Sequence, residues 1–416
     1  MKSNVHMQNI NEQRVTERFF ADADAVVAEA KNKRRCKTLP DGEWIRLGAR
    51  RVLSDVRSGR QFLQKWNLQE GTEIGVVHYF ETASSARRLR LVDEVNESVA
   101  SAMPEHARSG FADCEDFDKF EIYAGDGVYI GASAHEKSVQ GKKPSARAFL
   151  HAEFAHPGDD AFERFRLGKR NEKGRARHAR AQAGRGQGAA TRRAWDPAGI
   201  DIDMWGYWKQ QYGVYFLSWA KDNMGFIEGG ELNWYRDDPV NAGVVSDTRV
   251  TTLTSDVTLR RIVYADPKSG DHYEFITTET TIRPGLLAWV YKCRWEIEKT
   301  YDTFKNKLGQ TTAWGRSDEA KNMQARFVCL AHNLMVLFET LIGVDDEKEI
   351  ERSAKRYRHD EIQAEQRNAT FARQYHNPRK RTQIAAKFIR WLRHCLAFNW
   401  SMNDAIHSLR RVYAIF

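Results

Sequence analysis

The spacing of hydrophobic positions in the first part of the chain is helical. Residues 43–59 carry apolar side chains at amphipathic spacing and predict a helix that ends at Gly59. Residues 82–103 predict a second helix, with Ser84 or Ser85 as its N-cap. Up to about residue 115 the pattern therefore favours a helical region.

From Phe120 the pattern changes to the alternation of hydrophobic and polar residues that is typical of strands. Residues 120–132 and 146–155 both alternate in this way. The elements predicted further along are a helix at 202–211, a strand at 214–220, a β-rich module at 229–283, a fully buried helix at 325–343 and a helix at 385–400. This mixture predicts an α/β protein without internal repeats.

The stretch YKCRWEIEKTYDTFKNKL, residues 291–308, predicts one helix with two stripes. At about 100° per residue, with Tyr291 set to zero, an apolar stripe falls between roughly 220° and 280°. The stripe consists of Ile297, Tyr301, Phe304 and Leu308. A polar row occupies an arc of roughly 60° beside it and consists of Tyr291, Arg294, Glu298 and Lys305. Taken alone, the row also fits a solvated face in which Arg294 and Glu298 form a local ion pair.

Composition adds a preference for an acidic partner. The 416 residues include 65 Lys and Arg, the formal net charge is +9 and the pI is about 9.2. This balance favours a polyanion, most simply nucleic acid. The basic pairs in the two predicted amino-terminal helices fit contact with DNA phosphates and ordinary packed helices about equally well. They are Arg50 with Arg51 and Arg87 with Arg88.

The cysteines and the apolar runs limit the class of protein. Five Cys form no CxxC pair, which argues against a structural zinc site or a disulfide scaffold and favours a reducing compartment. No apolar run approaches the roughly 18 residues of a membrane span, and the first residues lack the apolar core of a signal peptide. The chain also has no P-loop, HExxH or GxSxG motif. We therefore expect a cytoplasmic protein without a membrane partner.

Residues 164–193 have an unusual composition, with eleven Lys or Arg and one acidic residue. Such a segment buries no core. One interpretation is a basic loop that contacts DNA. The other is a local frameshift across 174–193 that replaced a central strand, in which case the sheet would lack that strand and Asp196 would be poorly positioned.

Three carboxylates are candidates for metal chemistry. Asp126 lies in a predicted strand, Asp196 precedes a predicted helix and Glu298 belongs to the polar row. Carboxylates suit magnesium, and two such ions activate an attacking oxygen and stabilise the leaving oxygen in phosphoryl transfer. Each residue also has a structural interpretation: Asp126 in a Gly-Asp-Gly turn, Asp196 as a helix N-cap ahead of Pro197, and Glu298 as an ion-pair partner.

The order of these motifs resembles one family. Tyr291, Arg294, Glu298 and Lys305 match Y-x2-R-x3-E-x6-K at every position, which looks like the signature of the insertion-sequence-four class of DDE transposases. AGDGVYI, around Asp126, resembles the first-Asp motif of that family, and DPAGID, from Asp196, resembles the second. The resemblance covers roughly residues 45–340.

This resemblance implies a ribonuclease-H-like catalytic core with a β-rich insertion, flanked by helical N- and C-terminal regions. It implies that Asp126, Asp196 and Glu298 hold two Mg²⁺ or Mn²⁺ ions. It further implies that Tyr291, Arg294 and Lys305 grip DNA phosphates near the transposon end. Trp295 is a candidate for stacking on an unpaired base, although a packed core tryptophan is the more common role.

The same resemblance suggests boundaries and partners. The expected parts are a helical DNA-binding region (1–115), a first part of the core (116–222), a β-rich insertion (223–285), a second part of the core (286–342) and a helical C-terminal region (343–416). Expected partners are double-stranded DNA, as transposon terminal repeats and target DNA, and a second copy of the chain in a homodimer. The expected location is the cytoplasm of a bacterial or archaeal host, on DNA.

Three functions remain open at this point. The first is a transposase that cuts and joins DNA at transposon ends. The second is a degenerate or repurposed copy that binds DNA without strand transfer. The third is a metal-dependent nuclease, which shares the three carboxylates and differs only in lacking the joining step.

Overall fold

The computed structural model describes residues 13–30, 38–102, 115–117, 120–131, 133, 148–154, 162–168, 190–267, 269–294, 296–342 and 386–414. The helices of these residues are α1 Val15–Glu29, α2 Asp41–Leu53, α3 Gly59–Glu70, α4 Val76–Thr82, α5 Ala86–Ser101, α6 Ile202–Tyr212, α7 Pro284–Cys293, α8 Glu296–Asp302, α9 Asp318–Leu341, α10 Ala386–Ala397 and α11 Met402–Ala414. The strands are β1 Phe120–Ile130, β2 Ala148–Phe154, β3 Phe162–Gly168, β4 Ala190–Trp195, β5 Val214–Trp219, β6 Phe226–Glu231, β7 Val244–Thr252, β8 Ser255–Ala265 and β9 His272–Thr277. The predicted mixture of helices and strands is confirmed.

All nine strands form one sheet in the order β3-β2-β1-β4-β5-β9-β8-β7-β6. Its first half is mixed, because β1, β4 and β5 run parallel while β2 runs antiparallel to both β1 and β3. Its second half is antiparallel throughout. The β-rich module predicted at 229–283 therefore extends the same sheet, to which it is joined through the pairing of β9 with β5.

Helices cover both faces of the central strands. On one face, α7 packs its apolar residues against Ile122 of β1, Ala194 of β4 and Leu217 of β5. On the other, α6 places Trp205 and Trp208 against Phe216 of β5. Because both faces of β5 are buried, its sequence VYFLSW is almost continuously apolar rather than alternating.

The remaining helices form a second, larger core that joins distant parts of the chain. It contains residues of α1 to α5, the apolar stripe of 297–308, α9 and the carboxy-terminal helices. The ends of the described chain meet, since Val15 N–H donates to the Trp400 carbonyl at 2.9 Å. The proposed domain boundaries stay predictions, but the helices on either side of 115 and 343 share this core.

Two predicted helix ends have different outcomes. Ser85 is the N-cap of α5, and its hydroxyl accepts from Arg88 N–H. This confirms the second of the two predicted N-cap candidates, Ser84 and Ser85. The helix predicted to end at Gly59 instead ends at Leu53, and Gly59 begins α3. Ser58 explains the error, because its hydroxyl accepts from Gln61 N–H and makes it an N-cap.

The residues just before Asp196 form a central strand, although the frameshift interpretation expected that strand to be missing. β4, Ala190–Trp195, pairs in parallel with β1 on one side and β5 on the other. The expectation that the sheet would lack a central strand is therefore wrong, and the preceding residues 174–189 lie outside the described residues. Two paired neighbours satisfy the backbone of such a segment even though its sequence, ATRRAW, has no β-branched run.

Candidate functional site

Asp126 and Asp196 lie at one level of the sheet. Gly125 of β1 pairs with Trp195 of the parallel strand β4, and each aspartate is the next residue of its chain segment. Asp126 belongs to the uninterrupted strand Phe120–Ile130, so the interpretation of Gly-Asp-Gly as a turn is wrong. The side chain of Asp126 lies outside the described residues, and that of Asp196 is half-buried.

Asp196 follows the last residue of β4 and does not cap an α-helix. It precedes a short 3₁₀ turn, Pro197–Gly199, in which Gly199 N–H donates to the Asp196 carbonyl at 2.8 Å. The N-cap of α6 is Asp201, whose carboxylate accepts from Met204 N–H at 3.1 Å. The Asp196 side chain is therefore not required for starting α6.

The helix predicted at 291–308 is not continuous, which corrects the geometry of its polar row. α7 ends at Cys293 with Arg294 as its C-cap, α8 begins at Glu296, and Thr303–Lys307 widen into a π-helical turn. Trp295 lies outside the described residues. The apolar stripe is confirmed, because Ile297, Tyr301, Phe304 and Leu308 are all at most 5% exposed.

The polar row is divided by these irregularities. Tyr291 and Arg294 are buried, at 8% and 6% exposure, whereas Glu298 and Lys305 are half-buried. The π turn changes the angular phase of Lys305 relative to Glu298, since Leu308 N–H donates five residues back to the Thr303 carbonyl. Four residues on one straight polar face were predicted. The structure instead buries the first two, and the Tyr291 ring packs against β9.

Tyr291 packs α7 against β9. Its ring packs against Phe275 of β9, with centroids 5.1 Å apart, and the Arg294 guanidinium lies 5.2 Å from the ring centroid. Burial raises the pKa of the Tyr291 hydroxyl, and the Arg294 charge and the backbone of Trp219 act in the opposite direction. The Asp196 carboxylate also raises this pKa.

Glu298 lies on a helix that packs against the strand of Asp126. Ala124 of β1, two residues before Asp126, belongs to the same core as Ile297 and Tyr301 of α8. The structure thus brings the strand of the first aspartate, the end of the second strand and the helix of the glutamate into one region. It does so through β1, which contacts both of the other elements.

The chemistry of these three residues fits a magnesium or manganese ion. Carboxylate oxygens are the ligands that Mg²⁺ prefers, and two of the three carboxylates belong to the residues that follow the paired Gly125 and Trp195. Among the side chains that the structure describes, no three His, Cys, Asp or Glu residues converge on one point, and Asp126 is outside that set. The residue types therefore suit a divalent metal ion.

The arginine pairs of the amino-terminal helices take intramolecular partners. Arg87 makes two hydrogen bonds to Asp41, and the buried Arg88 donates to the Leu39 carbonyl at 2.7 Å. Arg50 pairs with Glu70, and Arg51 donates to the Tyr79 hydroxyl at 2.9 Å while lying over Trp314. These contacts favour the interpretation of packed helices over that of phosphate contacts for these four residues.

Sequence reasoning missed several residues that shape this region. Trp219, at the end of β5, is 41% exposed, and its ring contacts Tyr273. In the sequence, the only indication of this role was an aromatic residue at the end of a predicted buried strand. Gly131, Gln310 and Gln324 form a connection described below, and no local pattern marks them because their partners are distant in sequence.

Comparison with known proteins gives no assignment, since no family model and no curated protein matches the chain. Within the part of the chain that the structure describes, no helix has the length and apolar character that crossing a bilayer demands.

Proposed function

We propose that the protein is a DDE transposase with a ribonuclease-H-like core, which cuts DNA at transposon ends and joins it to target DNA. The observation that carries this proposal is the level shared by Asp126 and Asp196 on parallel neighbouring strands, with the Glu298 helix packed on the first of them. The strand order β3-β2-β1-β4-β5, with β2 antiparallel, supports the ribonuclease-H-like assignment.

In this proposal Asp126, Asp196 and Glu298 hold the metal. When bound, Mg²⁺ or Mn²⁺, two ions per site, supplies charge that favours an attacking oxygen and a leaving oxygen at phosphorus. In the proposal, the carboxylates belong to β1, to the residue after β4 and to α8, so the fold would set their spacing before DNA arrives. Such preorganisation is the main contribution a protein makes to phosphoryl transfer.

The basic and aromatic residues beside the carboxylates have a positioning role toward DNA. Arg294 is held over the Tyr291 ring, and Lys305 is half-buried one helical segment further on. Both cations lie on the helical segments next to Glu298, where they would hold phosphates near the scissile bond. Trp295 keeps its proposed role in stacking on an unpaired base.

The reaction is balanced without an external energy source. A water oxygen forms a bond to the scissile phosphorus, the bond to the 3′ oxygen breaks, and that oxygen gains a proton to give a 3′-hydroxyl. In joining, this hydroxyl loses its proton and attacks a target phosphodiester, which releases a new 3′-hydroxyl. The number of phosphodiester bonds is unchanged in the joining step.

The test is cleavage and joining of DNA that carries the terminal repeats of the element, with Mg²⁺ or Mn²⁺. We expect cutting at the repeat ends, with activity lost in Asp126→Ala and Glu298→Ala while DNA binding is kept. Cleavage that both variants retain would contradict the assignment of the site. Cleavage without any joined product would instead identify a metal-dependent nuclease.

A degenerate or repurposed DNA-binding copy is the second candidate, favoured by the restricted composition of residues 174–193. Specific binding to the repeat ends without cleavage by the wild type would support it.

We also propose that the active form is a homodimer on double-stranded DNA in the cytoplasm of a bacterial or archaeal host, because both transposon ends must be cut together. Sedimentation with and without repeat DNA tests that stoichiometry.

A further inference from the structure

A buried glutamine lies where the helix of Glu298 returns to the strand of Asp126. Gln324 of α9 is 0% exposed and uses both ends of its side-chain amide. Its Nε2 donates to Gln310 Oε1 and to the Thr312 carbonyl, each at 3.1 Å. Its Oε1 accepts from Trp314 N–H at 2.8 Å. One side chain therefore fixes three positions of the segment 310–314.

The segment 310–314 is the continuation of the helix that carries Glu298. The π turn ends at Lys307, and Gly309 reverses the chain with a φ of +66°. Gln310 N–H then donates to the Phe304 carbonyl at 2.9 Å, and Gln310 Nε2 donates to the Leu308 carbonyl at 3.0 Å. The position of this segment is thus rigidly linked to the end of the Glu298 helix.

The same segment pairs with the end of β1. Gly131, which follows the last residue of β1, donates its N–H to the Thr311 carbonyl at 2.8 Å. Its own carbonyl accepts from Ala313 N–H at 3.0 Å. A Cβ at position 131 would lie 2.8 Å from the Thr311 oxygen, so the close approach requires glycine.

The ring of Trp314, the last residue of this segment, packs against α2 and α9. The Arg51 guanidinium lies 3.9 Å from its centroid, and Phe327 of α9 lies 6.3 Å from it. The segment is therefore held between α2, α9 and β1. The spacing between the Asp126 strand and the Glu298 helix depends on this connection and on the apolar contacts of Ala124.

We infer that Gln324 is a positioning residue for the metal site, acting through the 310–314 segment to set Glu298 against Asp126. This inference rests on the proposed function and adds a residue to it. Loss of the three hydrogen bonds would let the segment and the π turn shift, which widens the separation of the carboxylates. Divalent-ion affinity would fall, because Mg²⁺ and Mn²⁺ tolerate little change in ligand geometry.

The experiment compares Mn²⁺ binding by calorimetry in the full-length wild type, Gln324→Met and Gly131→Ala. Methionine keeps the length of the side chain and removes all three hydrogen bonds. The matched control is Asn333→Leu on the same helix, which removes a buried amide contact to Asn96 at 2.9 Å, away from the 310–314 segment. Thermal unfolding without metal measures the stability lost by each variant.

We expect Gln324→Met and Gly131→Ala to weaken Mn²⁺ binding about 10-fold or more, the range found for residues that orient metal ligands. DNA cleavage by both should need correspondingly more Mn²⁺ and recover most of its rate at saturation. Asn333→Leu should lose stability without losing Mn²⁺ affinity.

Two results would overturn the inference in distinguishable ways. If Gln324→Met binds Mn²⁺ like the wild type, or loses affinity only as much as Asn333→Leu does, then Gln324 has a purely structural role. If the wild type itself neither binds Mn²⁺ nor cleaves repeat DNA, the proposed function fails and the positioning role fails with it.

Discussion

Asp126 and Asp196 are cross-strand neighbours, because each follows one member of the Gly125–Trp195 pair on two parallel strands. Like charges on neighbouring strands repel each other. A bound divalent cation would turn this repulsion into attraction. In the proposed metal site, the metal-free and metal-bound states would therefore have opposite effects on stability.

Asp196→Asn tests this relationship without reference to DNA. We expect the variant to unfold at an equal or slightly higher temperature than the wild type when metal is absent, because one charge has been removed. Added Mn²⁺ should raise the unfolding temperature of the wild type only. Thermal denaturation at several Mn²⁺ concentrations measures both effects, and an equal rise in the variant would count against Asp196 as a ligand.

Arg88→Ala should lower stability rather than affinity for DNA. The guanidinium is 4% exposed, donates to the Leu39 carbonyl and lies 5.0 Å from the Trp44 centroid. Its removal should cost about 1–3 kcal/mol of unfolding free energy, measured in urea. The salt dependence of DNA binding should stay unchanged, whereas a lost phosphate contact would reduce the slope by about 1. Lys65→Ala, at an exposed position of α3, is the control.

The ion pair of Asp247 with Arg260 lies inside the extended sheet. The two residues are 1% and 4% exposed and share hydrogen bonds of 2.8 and 2.6 Å. Asp247→Ala should cost about 3–5 kcal/mol, because it leaves a buried charge, and a second change, Arg260→Met, should restore part of that loss. Arg261→Met, which removes partly exposed pairs with Glu274 and Glu228, should cost less than Asp247→Ala, because solvent screens these pairs.

Gly48 sets the distance between α2 and α9. A Cβ there would lie 2.1 Å from Phe327 Cζ, so Gly48→Ala should destabilise the protein by about 1–3 kcal/mol. Combining it with Phe327→Leu should cost less than the sum of the two single changes, since the smaller side chain makes room. Gly75→Ala is the control, because a Cβ at Gly75 meets no atom within 4 Å. Urea unfolding of the four variants gives the comparison.

Tyr264 should make stability fall at alkaline pH. Burial, with Asp266 and Tyr273 nearby, raises the pKa of its hydroxyl to about 12. The unfolded chain ionises this group at lower pH, so the stabilisation is complete below about pH 10 and is lost as pH rises toward 12. Unfolding free energies between pH 9 and 11 should fall more steeply for the wild type than for Tyr264→Phe. Tyr235→Phe, at an 85% exposed site, should follow the wild type.

Local patterns in the sequence were sufficient for several elements. The stripe of Ile297, Tyr301, Phe304 and Leu308 is buried as its spacing predicted, and Ser85 caps α5. The run at 214–219 forms β5, because a strand buried on both faces is apolar throughout. These features depend on neighbours three or four residues away or on simple burial, so the sequence alone determines them.

Contacts between distant residues decided the rest. β4 forms from ATRRAW because β1 and β5 pair with it on both sides, and the helix predicted at 291–308 breaks where α7 leaves the sheet and α8 joins the helical core. The contacts of Arg88 with Trp44 and of Gln324 with the 310–314 segment depend on residues far away in sequence. The sequence by itself determined which residues are chemically suited to a site. Only the tertiary structure determined that Asp126 and Asp196 lie at one level of the sheet, how far the site residues are buried and which segments hold them. Backbone pairing and packing between distant segments leave no local pattern in the sequence.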